Sequence, residues 1–204
     1  MRESGPDFTI ELKAMRKGAK RVCGIDEAGR GPWAGPVVAA AVVLDPKRIP
    51  PGLDDSKKLT EAQREALFAP IMATAKVGIG IAEVERIDRD NILEATLWAM
   101  AQALDQIDGV ALALVDGNRA PQLPCPVQTI VEGDAKSLSI AAASIIAKVT
   151  RDRIMVGHDM TYPLYGFARH KGYGTALHQE ALRRHGVTPL HRRSFAPIAA
   201  LLAR

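Results

Sequence analysis

The chain predicts an α/β fold, a mixed sheet flanked by helices, and three observations carry that expectation. Short apolar runs come first, and segments of helical and strand-like period then alternate. The runs are bounded by Gly, Pro, Asn and Asp, the residues that end strands. The 204 residues are 47% hydrophobic and 25% charged, which suits one ordinary globular domain with a core of normal size. Only 4% are aromatic, so Ala, Val, Ile and Leu must supply most of the packing.

The elements run in order along the chain. Residues 1–20 are polar and mixed in charge and read as a loosely ordered arm, with residues 8–12 as a possible short pairing segment. Residues 21–26 and 37–44 read as strands, the second rich in Val and Ala, around a breaker-rich turn from Gly29 to Pro36. A Pro-rich loop spans 45–55. Thr60 opens a helix with Gln63 placed for a capping box, running to about Thr74 with Pro70 as an interruption. Residues 76–84 alternate as a strand does, and 91–107 carry apolar residues at helical period. Further strands cover 111–115 and 127–131. A helix rich in small residues covers 137–155, able to approach a sheet closely. Another covers 175–184, closed by Gly186, and Ser194 caps a last short helix through Leu202.

Composition excludes several classes. No apolar run reaches the roughly 18 residues of a membrane span, and the N-terminus lacks the apolar core of a signal peptide, so a cytoplasmic protein is expected. Cys23 and Cys125 show neither metal spacing nor a disulfide framework. The net charge is +4, unevenly spread. Residues 1–150 hold 18 Lys and Arg against 20 Asp and Glu; residues 151–204 hold 9 against 3, and all five histidines. An acidic centre with a basic flank suits cations at the first and a polyanion on the second.

Three apolar strands deliver acids at their C-terminal ends: Asp26-Glu27, Asp116, and the Glu132-Gly133-Asp134 turn. In open α/β sheets that end is where ligands bind. Converged carboxylates repel one another unless something positive lies between them. With no matching Cys or His, the oxygen ligands suit Mg²⁺ or Mn²⁺, ions used in pairs for phosphodiester cleavage. Taken singly, each acid could be a turn residue, and Asp116-Gly117-Asn118 is a good turn sequence. The pattern reaches metal-dependent phosphoryl chemistry and no further. Asp26 and Glu27, as strand neighbours, point to opposite faces, so sharing a site requires a bend, which Gly29 and Gly31 make plausible.

Gly29-Arg30-Gly31 lets backbone approach a ligand, but it is neither a phosphate-binding P-loop nor a dinucleotide fingerprint. Lys57 and Lys58 could meet phosphates or solvent. The segment from Tyr165 to Gly174 mixes aromatics with Arg169, His170 and Lys171, a mixture suited to nucleic acid. Tyr165 and Phe167 could equally be core, whereas Tyr173 between two glycines is harder to place there.

Together these stretches resemble the bacterial ribonuclease HII family: GIDEAGRGPWAGPVVAAAVVL, DSKKLT, LVDGN, EGDAKSLSIAAASIIAKVTRDRIM and YPLYGFARHKGYGTALHQEALRRHGVTPLHRRSF, in the family's order from Val22 to Phe195. The resemblance implies a ribonuclease H-like five-stranded mixed sheet with a small helical C-terminal part. It implies a catalytic domain at 21–155 and a substrate-binding part at 156–204; residues 1–20, read as the N-terminal arm, lie outside it. Four catalytic and metal-holding acids fall on Asp26, Glu27, Asp116 and Asp134, with Asp152 the rival for the fourth. Gly29, Arg30 and Gly31 would read a ribose 2′-hydroxyl, and Tyr173 would pack on the following sugar. Lys57, Lys58, Arg169, Lys171, His191 and Arg192 would meet phosphates. The implied activity is hydrolysis of RNA in RNA–DNA hybrids, and 5′ to single ribonucleotides in duplex DNA, by a metal-activated water. It implies two Mg²⁺ or Mn²⁺ ions, 3′-hydroxyl and 5′-phosphate ends, and a monomer. A junction resolvase on the same fold and a silent hybrid-binding module are the rival readings.

Overall fold

The computed structural model describes residues 5–203. Its single sheet has the order β3-β2-β1-β4-β5, formed by β1 (Val22–Ala28), β2 (Val37–Val43), β3 (Lys76–Ala82), β4 (Leu112–Asp116) and β5 (Val127–Ile130). β1 pairs antiparallel with β2 and parallel with β4. β2–β3 is antiparallel and β4–β5 parallel. The sheet is therefore mixed, as the sequence predicts, and β1 lies at its centre with its C-terminal end beside that of β4.

Two long helices cover the faces. On one side α3 (Val84–Leu104) packs Ala95, Ala99 and Ala103 against Cys23, Ile25 and Ala41. On the other, α4 (Leu138–Thr161) packs Ala142, Ala143 and Ile146 against Ala40 and Val42, with α2 (Glu61–Thr74) alongside. Small residues bring backbones into contact: a Cβ on Gly24 would stand 2.1 Å from the Ser139 carbonyl carbon. Cys23 is buried as a small core residue. The distal half of α4 carries a second core. There Met155 meets Tyr165, Phe167, Ala181, Leu182 and Ile198 from α5 (Phe167–His170), α6 (Ala176–His185) and α7 (Ala196–Leu202). Tyr165 and Phe167 take the core reading.

Several elements differ from expectation. Residues 1–20 are not a loose arm where described: Thr9–Arg16 form α1, which packs Ile10, Ala14 and Met15 on Val22, Leu114 and Ile140. Pro70 does not interrupt α2. Ala66, whose carbonyl loses its usual partner to Pro70, is exposed and can turn to water. The third helix begins before Asn91. Asn91 itself is a kink at φ 70°, and its Oδ1 accepts from the Leu93 and Glu94 N–H groups, capping the longer part of the helix. Ser194 does not cap α7. Its N–H and hydroxyl both donate to Asp88. No described helix is long and apolar enough to cross a membrane.

Candidate active site

The parallel pairing of β1 with β4 brings Asp26, Glu27 and Asp116 to one edge of the sheet. Gly133 joins the fourth acid to them, because its N–H donates to Asp116 Oδ1 at 2.7 Å. Asp134 comes next in a 3-10 turn and is nine-tenths buried or more, as is Asp26. Strand β1 stays paired with β2 through Ala28, so no bend turns Glu27 round. Asp26 and Glu27 instead flank the strand end. Both line one hollow with Asp116 and Tyr173, and Glu27 also faces a second with Thr96, Met100 and Arg119 on the α3 side.

Electrostatics marks the cluster. Burial pushes the Asp26 carboxyl well above the ordinary range, and the Glu27, Asp116 and Asp134 charges push it further. Burial raises Glu27 too, against the pull of Arg30, whose Nη1 lies 3.5 Å from it. Burial likewise raises Asp134, opposed by Lys57 at 3.3 Å. Among the described residues no three such side chains close into a finished coordination sphere. Buried carboxylates that raise one another are nevertheless a hard-oxygen donor set short of positive charge, and that chemistry fits a divalent cation. Asp26, Glu27, Asp116 and Asp134 are the residues that would hold it.

The rival acid is engaged elsewhere. Asp152 accepts from Lys148 Nζ at 2.7 Å, one helical turn away. Lys148 itself lines the hollow with Asp26, a neighbour that sequence reasoning missed. Lys57 and Lys58 line the cleft beside Asp116 and Asp134. Arg169 is exposed, and Lys171 is half-buried with Nζ bonded to the Ala168 carbonyl.

The glycine loop is built from beneath by two arginines. Arg192 is fully buried and donates to the carbonyls of Gly29 (2.5 Å), Arg30 (2.9 Å), Gly35 (2.9 Å) and Pro36 (3.1 Å). Arg151, also buried, donates to Pro36, Ala34 and Lys171 carbonyls. No carboxylate pairs with either among the described residues. Burial lowers them to about 9 and about 10, so both stay charged at neutral pH. The phosphate contact expected of Arg192 is therefore corrected: the side chain lies under the loop. His191 is corrected likewise. It is buried, accepts at Nδ1 from the Thr188 N–H, and meets His178 Nε2 at 2.9 Å. His178 Nδ1 lies 3.0 Å from the Tyr173 carbonyl. One neutral tautomer chain satisfies these contacts, with His191 donating to His178 and His178 to Tyr173. Burial lowers both histidines to about 4. In sequence, a His-Arg-Arg run reads as surface, and nothing in its composition reveals that two of the three face inward.

Two glycines of the loop differ in kind. Gly29 has φ +99°, and a Cβ would strike Arg151 Nε at 2.0 Å, so protein packing alone demands glycine there. At Gly31 a Cβ would meet only Tyr173 Cε1, at an ordinary 3.7 Å. The Tyr173 ring, 45% exposed, thus stands opposite Gly31 across a gap.

The family model described as Ribonuclease HII matches residues 23–198, most of the chain. The chain belongs to the ribonuclease HII family. A ribonuclease HII from Azorhizobium caulinodans is 58% identical over 97% of this chain and 76% of its own. One from Magnetococcus marinus is 56% identical over 97% and 96%. Among solved structures, the ribonuclease H2 of Pyrococcus horikoshii is similar at TM-score 0.73 and 29% identity, covering 90% of this chain and 98% of that one. A Bst-RNase HIII solved with Mn²⁺ shares the fold at TM-score 0.76 and 20% identity, over the whole of this chain and 76% of that one. As a ribonuclease HII, the protein is an endoribonuclease of the H class, acting on the RNA strand of RNA–DNA hybrids.

Proposed function

We propose that this ribonuclease HII cuts on the 5′ side of a ribonucleotide in a duplex, including a single ribonucleotide embedded in DNA, and leaves 3′-hydroxyl and 5′-phosphate ends. The observation that carries the reading is Gly31. Its own protein neighbours leave room for a Cβ, so its being glycine is explained by close approach of a ligand. Peptide planarity adds the chemistry. The Gly29 and Arg30 carbonyls point at Arg192, so the N–H groups of Arg30 and Gly31 in the same peptide planes point the other way. Those N–H groups donate to no acceptor among the described residues. They are free to bind a ribose 2′-hydroxyl oxygen.

The remaining roles come from position. Asp26, Glu27, Asp116 and Asp134 would hold two Mg²⁺ or Mn²⁺ ions. Such ions supply Lewis acidity toward a water and the scissile phosphate. Lys57, 3.3 Å from Asp134, and Lys58, Arg169 and Lys171 would hold the phosphate backbone on either side of the cut. Tyr173 packs on the sugar next after the ribose, where a 2′-hydroxyl would crowd the ring. Residues 21–155 carry the acids and 156–204 the substrate-binding surface of a cytoplasmic monomer. The test is a duplex with one ribonucleotide, incubated with Mg²⁺ and mapped at nucleotide resolution. A cut on the 3′ side, or equal cutting of an all-DNA duplex, would sink the proposal.

A further inference from the structure

The N-terminal helix lies outside the residues that the family model matches, and its one buried residue is a carboxylate. Glu11 has no solvent exposure. Its Oε1 accepts from Ser137 Oγ at 2.6 Å and from the Ser139 N–H at 2.9 Å. Burying a carboxylate is costly, and the free N–H groups and positive end of α4 offset that cost.

The carboxylate clamps the turn that bears the fourth acid. With its proton given to Glu11, the Ser137 hydroxyl turns a lone pair to the Ile140 N–H, 3.2 Å away. The Ser137 N–H donates to Gly133 O at 2.8 Å, closing the turn around Asp134. The Gly133 N–H in turn holds Asp116 Oδ1. From outside, Asp7 brackets the same turn: its N–H donates to Lys136 O and its carbonyl accepts from the Leu138 N–H. On the inner side, the Ser139 backbone presses on Gly24, two residues before Asp26.

We infer that Glu11 is a positioning residue of the active site, which sets Asp134, and Asp116 through Gly133, for cation binding. The N-terminal helix is then part of the catalytic scaffold. The inference rests on the metal-cluster reading above. A role confined to capping α4 would alter stability and leave cation affinity alone.

The experiment measures Mn²⁺ affinity by calorimetry without substrate, together with kcat and KM on a single-ribonucleotide duplex, below each protein's Tm. Glu11→Ala should weaken Mn²⁺ binding about 10–100-fold, the usual effect of removing a partner that orients metal ligands. It should lower kcat while KM for the duplex stays near that of the unaltered protein. Glu11→Gln should recover most of the loss, because its amide oxygen accepts the same two bonds. Met15→Ala loosens the same helix without touching the carboxylate, and should lower Tm with unchanged Mn²⁺ affinity. Unaltered affinity and kcat in Glu11→Ala, or an equal loss in Met15→Ala, would reduce Glu11 to a cap and overturn the inference. If Glu11→Ala does not fold, Ser137→Ala breaks the same link and decides by the same readings. Failure of the unaltered protein to bind Mn²⁺ or to cut would condemn the functional reading itself.

Discussion

At the scale of the residue, Asp26 is buried and crowded by three other acids, whereas the proposed role as a cation ligand requires it ionised. Asp26→Asn should cut kcat by roughly 10²–10³-fold, the size seen when one preorganised electrostatic group is lost. It should also raise the Tm of the metal-free protein, by about 2–4 °C per kcal/mol of repulsion relieved. Turnover near that of the unaltered protein would end the cluster reading. Gly31→Ala should leave Tm unchanged, since a Cβ has room in the protein, but should remove most cleavage by occupying the ligand's place. Full activity would show that Gly31 does not face substrate. Tyr173→Ala should lower kcat/KM about tenfold or more, given 1–3 kcal/mol for a stacked ring. Tyr173→Phe should cost much less, and the loss should be greater on the single-ribonucleotide duplex than on a continuous hybrid. The clustering of the acids was legible because three apolar strands each end in a carboxylate, although any one of them could have been a turn residue. Arg192 and His191 were not: the burial of Arg192 depends on backbone carbonyls that the fold brings from residues 29–36, and that of His191 on Thr188 and on His178 from α6.

At the scale of the element, the loop after β1 is held by backbone bonds to Gly172, Leu190 and Arg192 and, from beneath, by arginine side chains from α4 and from the segment before α7. Arg192 donates to four of its carbonyls with a planar fork that lysine cannot reproduce. Arg192→Lys should therefore fall about 10–100-fold in kcat/KM, at roughly 1.4 kcal/mol per decade for the bonds lost. Discrimination between ribose and deoxyribose should narrow along with it, since the outward N–H groups lose their set. An activity loss with unchanged discrimination would make Arg192 a general stabiliser. Strands and helices were largely legible by period. What period could not carry was context. Pro70 is tolerated because Ala66 faces water. The N-terminal helix is short and polar, and it is held by Glu11, whose partner Ser137 lies 126 residues on, and by Met15 packed with Val22, Leu114 and Ile140. Asn91 read as a helix start and is one, but inside a longer kinked helix.

At the scale of the whole molecule, two buried titrating groups pull stability in opposite directions as pH changes. Asp26, Glu27 and Asp134 all have carboxyls raised above 3.8 or 4.5, their ordinary values. A raised carboxyl holds its proton more tightly in the folded state, so its contribution is fullest below the unfolded value and is lost as pH rises through the folded one. His178 and His191 behave in the opposite sense. Lowered from 6.5 to about 4, they are neutral when folded, and their contribution is lost as pH falls through that interval. A plain Tm-against-pH curve therefore mixes the two. Cation binding separates them, because it needs ionised carboxylates and leaves the histidines, which lie among Tyr165, Phe167 and Tyr173, untouched. The gap in Tm between Mg²⁺-loaded and EDTA-treated protein should widen steadily from acid toward mildly alkaline pH, as protons leave the raised carboxylates that would hold the cation. Cleavage should rise over the same interval and vanish in excess EDTA. In Asp26→Asn the gap should be small at every pH, while the acid-side fall in Tm from the histidines persists. A gap independent of pH in the unaltered protein would mean that the stabilising cation binds somewhere other than the four acids.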